Sequence, residues 1–337
     1  MANYASSVLV DAIGILSDKY QGKEFRRPIY GGHEMFLKGS EYTIPDLAEI
    51  RKSVNRTTTA KYLKRSNPTV ASTFSCTPTA TVGDSGTVNL SWTPYTTAIT
   101  ISNKRHGNNY FDRARALAGE LEAAFRNLHD SIETAMVAYL EANKTGVNAG
   151  SSVLGTFDST FDIFKVANAN KDRYYNYLMT VMRENKYYNE LMAVQNVAAW
   201  ALINEQVAQG QANSTNLRYQ YGDIDFMASH SISTGSDLVT SYVAEPDSVA
   251  VLDWIDPLNR EGAVAGEREW TTMQDLYGYP WTWQVLNYKT CADTSQTGGY
   301  TQDLTEVWEI GIHLSLAKAP LSNAGETPIF KFALLPS

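Results

Sequence analysis

NNYFDRARALAGELEAAFRNLHDSIETAMVAYLEANKTG, residues 108–146, carries the clearest pattern in the 337-residue chain. Its apolar positions Phe111, Ala114, Leu117, Leu121, Ala124, Phe125, Leu128, Ile132, Met136, Tyr139 and Leu140 step by three and four. That spacing gathers side chains on one face of a helix. Asn108 or Asn109 can cap the start, no proline interrupts the run, and Lys144-Thr145-Gly146 supplies a cation and a glycine stop. About 35 residues at about 1.5 Å each make a rod of roughly 50 Å. Such a rod is unusual where the mean helix has about 11–12 residues. The expected core of the helix is Phe111, Leu117, Leu121, Phe125, Leu128, Ile132 and Met136.

Immediately upstream the periodicity changes. Residues 69–102 are rich in Thr, Ser and Val, which favour pleated backbone, and Gly83-Asp84-Ser85-Gly86 separates two β-prone runs. The pattern predicts a long hairpin, TFSCTPTATV outward and TVNLSWTPYTTAITI back, with Gly86 supplying the positive φ of a tight turn. Before it comes RKSVNRTTTAKYLKRSN, in which Arg51, Lys52, Arg56, Lys61, Lys64 and Arg65 have no acid between them. The first 50 residues mix Val8, Leu9, Val10, Ile13, Ile15 and Leu16 with Pro28, Gly31-Gly32 and Pro45. Without a sustained period, they predict an extended arm with a brief helix near its start.

Downstream, Gly146 to Gly155 is a small-residue linker. A second helix is predicted from about Lys171 to Glu184, capped by Asn168 or Asn170, with Tyr174, Leu178, Val181 and Met182 inward. Leu191 to Val194 predicts a buried strand, and VAAWALINEQVAQG a third helix ended by Gly210. From Tyr219 onward strands and loops dominate, with candidate strands at 224–227, 248–252, 281–288, 307–316 and 329–335. In the fourth of these, Ile310, Ile312, Leu314 and Leu316 alternate with small or polar residues, as in a half-buried strand.

Composition bounds the function. Hydrophobic residues are 43% and charged residues 19%, a globular balance that excludes disordered and fibrous classes. No apolar run approaches the ~20 residues of a membrane span, and the N-terminus lacks the basic and apolar blocks of a secretory signal, so folding in a cytoplasm is expected. Two distant cysteines, Cys76 and Cys291, exclude a disulfide framework and predict free thiols. The net charge of −8 argues against a dedicated nucleic-acid binder. It is uneven: 13 Lys+Arg stand against 8 Asp+Glu in residues 1–110, and 15 against 28 in the rest, so two copies of the chain can attract each other.

The sequence holds no phosphate-cradling glycine motif, no HExxH, no GxSxG and no CxxC, so no catalytic residue, cofactor or metal ligand is expected. His33, His106, His129, His230 and His313 make no ligand pair by spacing and read as ordinary packed or surface side chains. Asp223 with Asp225, and Asp253 with Asp256, could hold a divalent cation but read first as turn residues. Glu267, Glu269 and Asp275 read as a solvated loop face. Trp254, Trp270, Tyr277, Tyr279, Trp281 and Trp283 could stack sugars, although packing or subunit contact is favoured. The basic run is expected to meet an acidic neighbouring copy.

An arm, a long β-hairpin (Thr69 to Ile101), one very long helix and a mixed α/β region ending in EVWEIGIHLSLAKAPL resemble, in that order, the major capsid protein of tailed bacteriophages, with the Hong Kong 97-type fold. The resemblance covers most of the chain by architecture and implies an α+β fold. Its parts would be an N-terminal arm (1–50), an extended loop (51–105), a spine helix (106–145), a peripheral domain (146–190), an axial domain (191–290) and return strands (291–337). It also implies a role: hexamers and pentamers of this chain closing an icosahedral shell around double-stranded DNA, assembled in a host cytoplasm. Implied partners are further copies of itself, a portal, a separately encoded scaffold and decoration proteins, with no membrane. Contacts between subunits are expected from Arg51, Lys52, Arg56, Lys61, Lys64, Arg65, Asp84 and Trp92. Three other readings are a carbohydrate- or receptor-binding virion surface protein using the Trp-rich segment, a protein-shell compartment of the same fold, and an enzyme.

Overall fold

The computed structural model describes residues 4–19, 30–43, 47–56, 59–64, 76, 84–102, 110–148, 155–209, 219–221, 224–233, 235–296, 299–319 and 326–336, some by backbone alone. The first 50 residues depart from the expected extended arm. Val8, Leu9, Ala12 and Leu16 recur at helical spacing and form the buried face of helix α1 (Tyr4–Lys19). Two shorter helices follow, α2 (Gly31–Thr43) and α3 (Leu47–Lys52). Pro28 and Pro45 between these segments, and Gly31-Gly32 at the start of α2, hid a period that is sound within α1.

Strands β1 (Thr59–Lys64) and β2 (Asp84–Asn89) form a two-stranded sheet of their own. Its antiparallel register runs from Thr59↔Asn89 to Lys64↔Asp84. The partner of β2 is therefore the basic stretch; TFSCTPTATV, apart from an exposed Cys76, lies outside the described residues. Gly86 faces Tyr62 within the ladder, so Asp84 to Gly86 lies in a strand and not in the expected turn. After two residues the return strand continues as β3 (Trp92–Ser102), which joins a different sheet.

The long helix is α4 (Tyr110–Ala142), 33 residues on one continuous axis. Leu117, Leu121, Phe125, Leu128, Ile132 and Met136 are all buried, as expected; of Phe111 only the backbone is described. Removing each such side chain from water contributes about 1.5–3 kcal/mol. Its length has a structural use, because α4 is tied to both large sheets. Near its start, Arg113 pairs with the buried Glu306 at 3.1 Å. At its end, Glu141 accepts hydrogen bonds from Lys144, Tyr242 and, at 2.8 Å, Lys331. Burial works against the Glu141 charge, but these three donors outweigh it and bring the carboxyl down to about 2.

The first large sheet has seven strands in the order β4-β5-β15-β9-β6-β8-β7. They are β4 (Gly155–Asp158), β5 (Ile163–Val166), β6 (Leu191–Asn196), β7 (Tyr219–Tyr221), β8 (Ile224–Ser229), β9 (Val239–Ala244) and β15 (Phe330–Leu334). Every residue of β6 and β9 is buried, which explains the unbroken apolar run at Leu191. Helices α5 (Tyr174–Glu184) and α6 (Ala199–Gln209) cover one face through Tyr175, Leu178, Phe226 and Phe332. The other face turns Met192, Val194 and Tyr242 toward the core around α4.

In the second sheet the order is β10-β14-β13-β12-β11, with β3 also on β14. Its members are β10 (Val249–Trp254), β11 (Val264–Ala265), β12 (Arg268–Gln274), β13 (Thr282–Gln296) and β14 (Gly299–Lys318). The predicted alternation holds: Trp308, Ile310, Ile312 and Leu314 pack toward α4 with Trp283 and Val285. Between β10 and β11, Asp256 caps the short α7 (Pro257–Glu261) by accepting from Leu258 N at 2.9 Å. Residues 155–166 share a sheet with 191–244 and with β15, so the sequence boundary expected at 190 does not separate the sheets.

Candidate subunit interface

The root of the β1–β2 ribbon is fastened to its own chain. Ile50, Ala60, Leu90, Ala250, Leu252 and Ala317 form a small apolar cluster, with Val88 and Trp92 packed on its edge. Arg51 Nε lies 2.6 Å from Asp253 Oδ1, and burial raises the Asp253 carboxyl despite that cation. Arg260 donates to the carbonyls of Lys52 and Ser53, each at 2.8 Å, and Trp254 Nε1 donates to Ser53 O. Arg56 sits over the Trp254 ring at 5.5 Å from its centroid.

This placement divides the expected contact residues. Arg51, Arg56 and Trp92 are engaged within the subunit, at the root of the ribbon. Lys52 and Lys61 are exposed. Lys64 and Asp84 close the described ladder opposite each other, with only their backbones described, and Arg65 lies outside the described residues. The β1–β2 ladder has no third strand among the described residues. A two-stranded ladder is marginal by itself in water.

On the face of the second sheet away from α4 lies a cavity of about 200 Å³, lined among others by Thr96, Trp270, Gln284, Glu309 and His313. It opens over Gly311, where an added Cβ would stand 2.5 Å from Thr96 Cγ2. Burial lowers the His313 pKa. Val54, Leu258 and Val264 are exposed apolar side chains.

Several sequence-based readings of chemistry end here. Trp281 and Trp283 are fully buried and Trp254, Tyr277 and Tyr279 nearly so, which leaves Trp270 as the partly exposed ring of the expected sugar platform. Asp225 pairs with Lys38, Asp253 with Arg51, and Asp256 caps α7, while Asp223 lies outside the described residues. Among the described residues no group of His, Cys, Asp and Glu could hold a metal ion, and no helix is long and apolar enough to cross a membrane.

Two readings need correction. Asp275 is not on a solvated face: it is buried and accepts from Trp283 Nε1 at 2.8 Å and Tyr277 N at 2.7 Å. His33 and His129 are not separate packed histidines. They meet at 3.1 Å, fully buried, with Glu133 beyond one and Asp275 beyond the other. The helical wheel carried a signal for this, since His129 and Glu133 stand four apart on the apolar face of α4; His33 and Asp275 carried none.

The fold is shared over nearly the whole chain with a chain from the solved structure of Mycobacterium phage Che8. The TM-score is 0.53 at 8% identity, covering 92% of this chain and 93% of that one. A chain from the cyanophage Pam1 capsid asymmetric unit gives 0.47 at 10% identity, covering 93% and 94%, and one from Gordonia phage Cozz gives 0.46 at 8%, covering 94% and 90%. No family model matches the chain, and no curated protein matches it.

Proposed function

We propose that this chain is the major capsid protein of a tailed phage, forming hexamers and pentamers that close an icosahedral shell around double-stranded DNA. The observation that carries the reading is a fold shared over nine-tenths of the length with a phage chain, at an identity too low for sequence comparison to find. In this reading the fold is of the Hong Kong 97 type. The spine is α4, the peripheral domain is α4 with the second sheet, and the axial domain is the seven-stranded sheet with α5 and α6. Helices α1–α3 take the place of the arm.

The β1–β2 ribbon then acts as the clamp. It is a marginal element in one subunit and is completed by lying on the next. Lys52 and Lys61, with Lys64 and Arg65 of the same run, bring positive charge to the acidic remainder of a neighbour. A wall that carries net negative charge encloses DNA without holding it in sequence-specific contacts. Portal, scaffold and decoration proteins are the partners such a shell requires. A protein-shell compartment of the same fold is distinguished by its contents, an enzyme in place of a genome.

Sedimentation of the purified chain, with and without a candidate scaffold, and negative-stain imaging of the fastest fraction test the proposal. Closed particles or rings of five and six are expected. A monomer, dimer or trimer under every condition overturns it. The clamp is tested by replacing residues 59–89 with a short Gly/Ser linker, which spares β3: a folded subunit that no longer assembles is expected, and normal shells overturn the clamp.

A further inference from the structure

The Glu133, His33, His129 and Asp275 side chains form an unbroken buried line joining α2, α4 and the 275–281 segment between β12 and β13. Glu133 Oε2 stands 2.6 Å from His33 Nδ1, His33 Nε2 stands 3.1 Å from His129 Nδ1, and His129 Nε2 stands 2.8 Å from Asp275 Oδ2. All four side chains are essentially without solvent contact. Both carboxylates already receive donors from outside the line. Glu133 accepts from Gly32 N and His33 N, and also bonds Ser229. Asp275 accepts from Trp283 Nε1, Tyr277 N and Tyr279 N. Gly32 is required here, because a Cβ on it would stand 2.8 Å from Glu133 Oε2.

Three contacts need three hydrogens, one in each. Two acceptor-only carboxylates and two neutral imidazoles bring only two N–H groups. With two hydrogens, one contact would set two lone pairs against each other in a dry interior; with four, two N–H groups would collide at the His33–His129 contact. We propose that the His33–His129 pair holds one proton beyond its two neutral rings, and that this proton locks α2 and the 275–281 segment onto α4. The pair's surroundings fit a single cation. Tyr30 stacks on both rings at 4.8 and 5.6 Å, Trp281 lies 4.9 and 5.7 Å from them, and Tyr277, Tyr279 and Trp283 flank His129.

The other charged groups near the line are accounted for. Asp130 accepts from Tyr30 Oη at 2.8 Å and lies 3.3 Å from His230 Nε2, while Arg126 hydrogen-bonds Tyr277 and Glu122 acts on it from further off. Burial lowers the His33 pKa against the pull of Glu133, and the donors around Glu133 lower its carboxyl against burial. Both directions agree with an ionised Glu133 beside a neutral His33.

The sign of the pH dependence follows from counting. Above the ordinary histidine value of about 6.5 the unfolded chain carries no proton on these two rings, and the folded chain carries one, so stability falls as pH rises. Below about 6.5 the unfolded chain carries two, so stability falls again on acidification. Each limb changes the folding constant by about tenfold per pH unit. The lock belongs to the subunit and does not depend on assembly.

The test uses the full-length chain. With histidine side chains labelled with ¹⁵N, NMR at neutral pH should show three of the four ring nitrogens of the buried pair bearing hydrogen; two or four overturns the proposal. Denaturant unfolding should show the folding constant falling by about tenfold per unit from pH 7 toward 9, and a flat profile overturns it. The variant His129→Gln, whose amide needs no added proton, should flatten that limb, and a variant that keeps the full wild-type slope overturns it. On acidification below pH 6, amides of residues 31–43 should exchange ahead of those of the seven-stranded sheet.

Discussion

The core along α4 and the β1–β2 ribbon are built on opposite plans. Around α4, long apolar side chains from two helices and two sheets meet, and the charged pairs Arg113–Glu306 and His129–Asp275 close within the same chain. The ribbon has a six-residue cluster at its root and, among the described residues, no third strand beyond it. One region is held by extensive packing of its own, and the other by little. The contrast teaches where to look for assembly: in the element whose own packing falls short.

Substitutions can break that contrast. Phe125→Ala, in the middle of α4 and fully buried, should destabilise the subunit by about 3–5 kcal/mol. Its urea midpoint should drop steeply, and a variant of near wild-type stability would show that α4 does not organise the core. Arg113→Met removes the cation that pairs with the fully buried Glu306, so a loss of about 3 kcal/mol is expected. Adding Glu306→Leu should recover most of it, and failure to recover would mean the pair fixes geometry beyond its charge.

Smaller effects sharpen the ribbon side. Arg51→Ala should lower stability by only about 1 kcal/mol, because that side chain is partly solvated. It should nevertheless speed hydrogen exchange in β1 and β2 while sparing β14. Glu141 gives the smallest effect, and its sign is set by its pKa. A carboxyl brought to about 2 in the fold contributes stability above its ordinary value of 4.5, and that contribution is lost as pH falls through 2. Glu141→Gln should therefore flatten the acid side of the melting profile, by less than about 1 kcal/mol given the exposure of the group.

Much of the architecture was legible because it rests on local periodicity. The α4 stripe, the 171–184 helix and the alternation at Ile310 to Leu316 each encode a buried face within a few residues. Strand partners were not legible. Nothing near Thr59 announces that it pairs with Asn89 across a long excursion, and an Asp-Ser-Gly run that opens a strand reads as a turn when its ladder is unseen. The buried line at His33 was invisible for the same reason: its four members come from residues 33, 129, 133 and 275, and only the fold gives them a common address.

The junction between β2 and β3 has a mechanical consequence. The ribbon runs through two residues into β3, which pairs with β14 over eleven positions from Trp92↔Ser315 to Ser102↔Thr305. Antiparallel hydrogen bonds stand perpendicular to the strands, so a pull along the ribbon loads that ladder in shear, and its rungs share the strain instead of unzipping one by one. Tension applied to the ribbon is thus delivered into the central strand of the second sheet, and from there to the long helix packed on it.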